Sequence, residues 1–120
     1  MLLGPDAGVF KRVRNNSGGA LVAGDVVIWD STVTYPAVTT TTTADDPKVA
    51  GVVVDGNGSA LTVVIQTDGK FALASGLKVN GTTDIAAGDM LSTFTTAKIA
   101  QKATAGKAGV FAMALEAYAT

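Results

Sequence analysis

A chain of 120 residues with net charge −1 and neither cysteine nor histidine excludes several functions before any motif is read. It is long enough for one domain with a real core, and its near-neutral balance offers no strong field to nucleic acid or an anionic membrane. The missing cysteines remove disulfides, thiolate chemistry and a zinc site, and 48% hydrophobic residues with only 6% aromatics mean a core of small side chains, which suits a thin barrel or sandwich.

The stretch MLLGPDAGVFKRVRNNSGG has no helical period, because Gly4, Pro5, Gly8 and the Asn15-Asn16-Ser17-Gly18-Gly19 cluster interrupt it. Residues 1–18 are expected to form an extended arm. Lys11, Arg12 and Arg14 follow the short apolar stretch instead of preceding it, and Pro5 and Asp6 break it, so it does not read as a secretion signal. The longest apolar runs fall far short of a membrane span. A soluble protein is expected, in which the Asn-x-Ser/Thr triplets at Asn15, Asn57 and Asn80 stay idle as glycosylation acceptors.

Residues 19–120 read as a single β domain of short runs punctuated by turn residues. Val26-Val27-Ile28-Trp29 is the first clear strand. Thr32 to Thr43 is mostly β-branched, but Pro36 cannot donate a ladder hydrogen bond, which predicts a sheet edge or bulge. Thr39, Thr40, Thr41, Thr42 and Thr43 are accordingly expected on an edge strand open to a neighbouring subunit. Val49 to Val54 is a buried strand, and Asp55-Gly56-Asn57-Gly58-Ser59 turns it into Leu61 to Gln66. Asp68-Gly69 is the strongest hairpin signal, since it supplies the positive φ angles of a type I′ turn before Phe71. Met90 to Phe94 and Lys98 to Lys102 follow as strands. Val110 to Ala119 holds good helix formers, yet its two-sided apolar pattern favours a strand. The fold class expected is all-β, a small β-barrel or β-sandwich with an extended N-terminal arm.

Leu21-Val22-Ala23-Gly24-Asp25-Val26 is echoed by Ile85-Ala86-Ala87-Gly88-Asp89-Met90, and Ala50-Gly51-Val52 by Ala108-Gly109-Val110. Both copies place Gly-Asp just before a strand, where glycine takes a dihedral closed to other residues and aspartate bonds local amides. Read as an internal pseudo-repeat, Ala23–Val52 and Ala87–Val110 are two halves of one barrel or sandwich, the second six residues shorter. Chance matching in a chain this rich in alanine and glycine is the other account.

Catalytic constellations are missing from the sequence. The commonest general base and the commonest thiol nucleophile are absent. Glu116, the one glutamate, lies in an apolar run, and the nine aspartates sit in or beside turn signals. Asp55-Gly56-Asn57-Gly58-Ser59 spaces oxygens like the start of an EF-hand loop, but the required glycine is Ala60 and the bidentate acid is Gln66. A hairpin loop accounts for it better than a metal site, and no cofactor is expected. Three cations beside Phe10 are too few for nucleic-acid binding. They suit an arm that docks on a partner.

In order, the chain offers Gly-Gly-Ala-Leu-Val-Ala-Gly-Asp-Val-Val, Val-Ala-Gly-Val-Val-Val, Val-Val-Ile-Gln-Thr-Asp-Gly-Lys-Phe, Ala-Gly-Asp-Met-Leu and Ala-Gly-Val-Phe-Ala-Met-Ala-Leu-Glu-Ala. This order, across roughly residues 18–117, resembles the small β-rich capsid decoration (cement) proteins of tailed bacteriophages. The resemblance implies a non-enzymatic virion protein, made in the host cytoplasm, that binds the outer surface of an expanded head. It implies the major capsid protein as partner and a homotrimer on the shell. Members usually continue into one more valine-rich strand, so this chain is expected to lack it or to close its barrel differently. Leu2, Leu3, Val9, Phe10, Lys11, Arg12 and Arg14 are the residues expected to contact the capsid. The alternative is a receptor- or carbohydrate-binding β-module of a fibre, whose stacking platforms would be Trp29, Tyr35 and Tyr118.

Overall fold

The computed structural model describes residues 10–67, 79, 84–103 and 110–114. Among them it contains eight strands and no helix: β1 (Phe10–Asn15), β2 (Val26–Trp29), β3 (Ala37–Thr39), β4 (Val49–Asp55), β5 (Thr62–Gln66), β6 (Met90–Thr93), β7 (Ala100–Lys102) and β8 (Ala112–Met113). The protein is all-β. The first five strands close a barrel in the order β1-β3-β2-β4-β5, and β7-β6-β8 form a second sheet. Closure falls to β5, which pairs antiparallel with β4 on one side and with β1 on the other.

Period-two alternation decides what fills the barrel. Val13 of β1, Val27 of β2, Val38 of β3, Val53 of β4 and Val63 and Ile65 of β5 point inward and form one cluster with Leu21 and Ala50. Such a lining suits β-branched side chains, which pack well on a curved pleat. Gly51 of β4 has φ +149 and lies so close to β5 that a Cβ would stand 1.9 Å from the Gln66 carbonyl oxygen. Glycine is required there by contact as well as by dihedral.

Two expectations change. The N-terminal arm does not extend to residue 18, because Phe10–Asn15 is a barrel strand paired with β5 over its length and parallel with β3 at Arg14 and Asn15. Its alternation is hard to see in sequence because only Val13 and Asn15 are buried and the second of them is polar. Lys11 reaches over the ring of Trp29, and Asn15 is a buried hydrogen-bond hub. Residues 1–9, with Leu2, Leu3 and Val9, lie outside the described residues.

The threonine run is not a sheet edge either. Thr39 belongs to β3, which lies between β1 and β2 in the closed barrel. Thr40 to Thr43 leave the sheet, and closure removes the edge on which pairing with a neighbour would depend. The Asp68-Gly69 hairpin and residues 115–120 of the C-terminal run fall outside the described residues; of the run's described part, Ala112–Met113 is a strand and Val110, Phe111 and Ala114 are not.

The pseudo-repeat is real. Asp25 Oδ2 accepts the Val22 N–H at 2.9 Å and Asp89 Oδ2 accepts the Ala86 N–H at 2.8 Å. Gly24 and Gly88 have φ 95 and 93. The following ladders match too: Val53 N–H donates to the Asp25 carbonyl at 2.9 Å, and Ala114 N–H to the Asp89 carbonyl at 2.8 Å. The order β3-β2-β4 recurs as β7-β6-β8, and the parallel pairing Asn15↔Val38 recurs as Val79↔Ala100. The Ala-Gly-Val echo, however, is out of register. Val26 pairs Val52, a separation of 52 − 26 = 26, while Met90 pairs Met113, a separation of 113 − 90 = 23. The second copy is therefore three residues shorter over this span, not six, and Val52 corresponds to Met113. Backbone pairing sets that correspondence, whereas small-residue triplets match by composition alone.

The two units pack through a second core. Val26 and Val52, on the outer face of the barrel, cluster with Ile85, Leu91, Ala100 and Ala112 of the second unit. A polar seam flanks it. Thr93 Oγ1 donates to the Thr43 carbonyl at 2.8 Å and accepts the Asp46 N–H at 2.7 Å, Ser92 Oγ donates to Asp45 Oδ1 at 2.7 Å, and Thr41 Oγ1 donates to Asp46 Oδ2 at 2.8 Å. Thr41 and Thr43 thus serve an intramolecular joint between the two units.

Candidate functional site

Four of the seven residues expected to contact a capsid stand together on β1. Phe10 and Arg12 are exposed, Arg12 opposite Val64 of β5. Arg14, opposite Thr62, holds its guanidinium 5.6 Å from the centroid of the Tyr35 ring. On the other side of the strand, Lys11 Nζ stands 5.9 Å from the Trp29 centroid. Both distances fall in the range of cation–π attraction. Among the described residues, none of these three cations has a carboxylate within ion-pair distance, whereas Lys102 reaches Asp89 at 3.5 Å.

A small network stiffens the aromatic side of this face. Asn16 Nδ2 donates to Asp30 Oδ2 at 3.0 Å and to the Tyr35 hydroxyl at 3.4 Å. Thr32 donates to Asp30 Oδ1 through its hydroxyl at 2.6 Å and its N–H at 3.0 Å. The Thr32 hydroxyl, and after it Asn16, hold the Asp30 carboxyl below the ordinary aspartate range. Asp30 thereby stays ionised, and its charge is turned toward donors of its own loop.

Beneath the face lies the hub of the barrel wall. Asn15 is fully buried; its amide donates to the carbonyls of Gly19, Asn57 and Gly58 at 2.8, 3.1 and 3.1 Å, and its Oδ1 accepts from Ser17. Burial and these bonds make Asn15 unavailable as a glycosylation acceptor. The same bonds draw the Asn57-Gly58 backbone into the wall, while Asn57 Oδ1 accepts the Gly58 N–H at 2.9 Å. Among the described residues, no three acidic or metal-ligating side chains gather around one point.

Chemically, the exposed face of β1 offers two guanidinium groups. Arg12 and Arg14 are two residues apart, which spaces their Cα atoms by about 6.6 Å on one face. Each guanidinium presents a planar fork of donors suited to carboxylates or backbone carbonyls. Fixed on a wall hydrogen-bonded on both sides, they lose little order on docking. The sequence grouped Lys11, Arg12 and Arg14 by proximity, but not with Trp29 and Tyr35. That grouping depends on β1 lying between β3 and β5 in the closed barrel, which brings Lys11 to Trp29 and Arg14 to Tyr35, and no local signal carries it. Comparison with protein families, with characterised proteins and with solved structures finds no match for this chain.

Proposed function

We propose that this protein is a non-enzymatic virion component that binds the outer surface of a tailed-phage capsid, as a homotrimer, and stabilises the shell by bridging capsid subunits. The observation that carries the reading is the β1 face. Phe10, Arg12 and Arg14 project from a rigid barrel wall, without a described carboxylate to satisfy the cations, next to the N-terminal residues that the resemblance assigns to the capsid. A cement protein needs a stiff scaffold and complementary surface, and bridging lets several weak contacts act together. The fibre-module reading is disfavoured by the same geometry. Trp29 and Tyr35, its stacking platforms, already carry Lys11 and Arg14 against their rings, and Tyr118 lies outside the described residues.

The test is a titration onto expanded heads stripped of the protein, followed by sedimentation and a count of copies per shell. Saturation at the number of symmetry sites, with raised resistance to heat, is expected. Combined Phe10→Ala, Arg12→Ala and Arg14→Ala substitutions are expected to abolish binding while circular dichroism stays that of the wild type. Heads that take up none of the wild-type protein overturn the proposal.

A further inference from the structure

Among the described residues, Asn57 is the asparagine whose side chain folds back onto the peptide that follows it. Asn15 Oδ1 accepts from Ser17, and Asn16 Nδ2 donates to Asp30 and Tyr35. Asn57 Oδ1 instead accepts the N–H of its own neighbour, Gly58, at 2.9 Å. Oδ1 is bonded to Cγ, so the Gly58 nitrogen stands within about 4 Å of that carbon, and the hydrogen bond polarises the side-chain carbonyl toward attack. Glycine leaves the nitrogen unshielded by a Cβ. Asn57 is exposed, and its Nδ2 has no hydrogen-bond partner among the described residues. Nothing holds that nitrogen back from leaving.

The other half of the same peptide group is held by the barrel wall. The Asn57 main-chain carbonyl accepts the Leu21 N–H at 2.9 Å and Asn15 Nδ2 at 3.1 Å. Two donors on this oxygen draw electron density from the Gly58 nitrogen and ease the loss of its proton. They also stand where charge develops when water attacks that carbonyl, the arrangement by which preorganised donors stabilise an oxyanion.

We propose that Asn57 is a self-modification site, at which the folded protein converts the asparagine into isoaspartate through a cyclic imide. The Gly58 nitrogen gives its proton to water and forms a bond to Asn57 Cγ. The Cγ–Nδ2 bond breaks, and Nδ2 takes a proton and leaves as ammonia. Water then adds to the former main-chain carbonyl of the imide, whose bond to the Gly58 nitrogen breaks as that nitrogen recovers a proton. The main chain now runs through Cγ, and the old carbonyl carbon carries a carboxylate that faces the Leu21 N–H and Asn15 Nδ2. Opening the imide at Cγ gives aspartate instead, without the help of those two donors. One water is consumed and one ammonia released, with no oxidant or reductant. The new carboxylate adds a negative charge to a chain of net charge −1. Nothing in this chemistry depends on head binding, and the free protein suffices to test it.

Folded protein and the same chain unfolded in urea are held at mildly alkaline pH and digested with trypsin. Cleavage at Lys48 and Lys70 brackets Asn57 and separates it from Asn80, which lies beyond Lys78. Mass spectrometry reads deamidation of the 49–70 peptide, and an isoaspartate-specific methyltransferase reads the product. The folded protein is expected to deamidate at Asn57, faster as pH rises, with a larger share of isoaspartate than the chain in urea. Gly58→Ala is expected to slow the reaction at least about tenfold, because a methyl beside the attacking nitrogen spoils its approach. That variant keeps its fold, since the added Cβ meets Leu61 Cδ1 at an ordinary 3.6 Å. Three results each overturn the proposal: a folded protein that keeps the Asn57 amide while the chain in urea loses it, a Gly58→Ala variant that reacts at the wild-type rate, or an isoaspartate share no larger than in urea.

Discussion

Gly51→Ala is the substitution whose cost the structure defines most sharply. The residue sits in β4 opposite Val27, with φ +149, and its added Cβ would lie 1.9 Å from the carbonyl oxygen of Gln66 and 2.9 Å from that carbonyl's carbon. Gln66 belongs to β5, the strand that closes the barrel, so its backbone is held by β4 and β1 together and has no free direction in which to move. A positive-φ position occupied by a residue with a side chain costs about 1–3 kcal/mol, and overpacking a tight site costs about 1–3 kcal/mol more. Together these reach about 2–6 kcal/mol, a large part of the about 5–15 kcal/mol by which small domains are stable. Two further glycines separate the causes. A Cβ at Gly56 would meet the Leu21 carbonyl oxygen at 2.0 Å without a positive φ, whereas Gly88 has φ +93 and open space. Gly88→Ala is expected to cost about 1–2 kcal/mol, Gly56→Ala more than that, and Gly51→Ala the most. Urea unfolding followed by fluorescence of Trp29, the single tryptophan, gives all three values. A Gly51→Ala protein within about 1 kcal/mol of the wild type would refute the close approach of β4 to β5.

The two Gly-Asp turns form a natural pair of controls. Asp25 is fully buried and Asp89 only half-buried, so Asp25→Ala is expected to cost about 1–3 kcal/mol for a hydrogen bond lost in the interior, and Asp89→Ala clearly less, by urea unfolding. Asn15→Ala removes one of two donors from the carbonyls of Gly19, Asn57 and Gly58, which keep the Ser17 hydroxyl and the Leu21 and Leu61 N–H groups, and should destabilise by about 1–3 kcal/mol, with faster amide exchange at Gly58 and Ala60 as the local readout. Asp30 and Asp89 have carboxyls held below the ordinary value of 3.8, the first chiefly by the Thr32 hydroxyl and the second by the Ala86 N–H. A folded-state pKa lowered in this way contributes stability that is present above the unfolded value and lost as pH falls through the folded one. Acid titration by carbon-detected NMR should place both below 3.8, and Thr32→Ala should return Asp30 toward it while leaving Asp89 where it was.

Much of the architecture is legible in the residues because strand signals are local. The alternation of Thr62 to Gln66, the apolar run of Val49 to Val54 and the Val26 to Trp29 strand all appear where turn residues bound them. The Gly-Asp turns are equally local, since one glycine dihedral and one aspartate acceptor define each. β1 escaped because Val13 shares its face with two polar residues, the exposed Lys11 beside Trp29 and the buried Asn15, whose burial is justified only by the carbonyls of residues 19, 57 and 58. The threonine run read as an edge because β-branched residues beside a proline look alike in an edge and in a strand whose neighbour binds the carbonyl before it. Here the Pro36 carbonyl accepts the Arg14 N–H at 3.0 Å.

By itself, then, the sequence determined an all-β chain, the places of its turns, the duplication of the Gly-Asp unit and a cluster of cations near the N-terminus. Propensity, dihedral restriction and period-two patterning act within a few residues and are written there. Tertiary structure decided the closure by β5, the parallel pairing of β1 with β3, the three-residue register of the repeat and the seating of one unit on the other. Those depend on which backbone groups and apolar faces meet across 23 or more positions of chain, the separation of Arg14 from Ala37 (37 − 14 = 23), and a valine bound for a covered face does not differ in sequence from one bound for an open face. Val26 and Met90 occupy one position of one fold, and only the neighbouring unit makes the first a core residue and the second a surface.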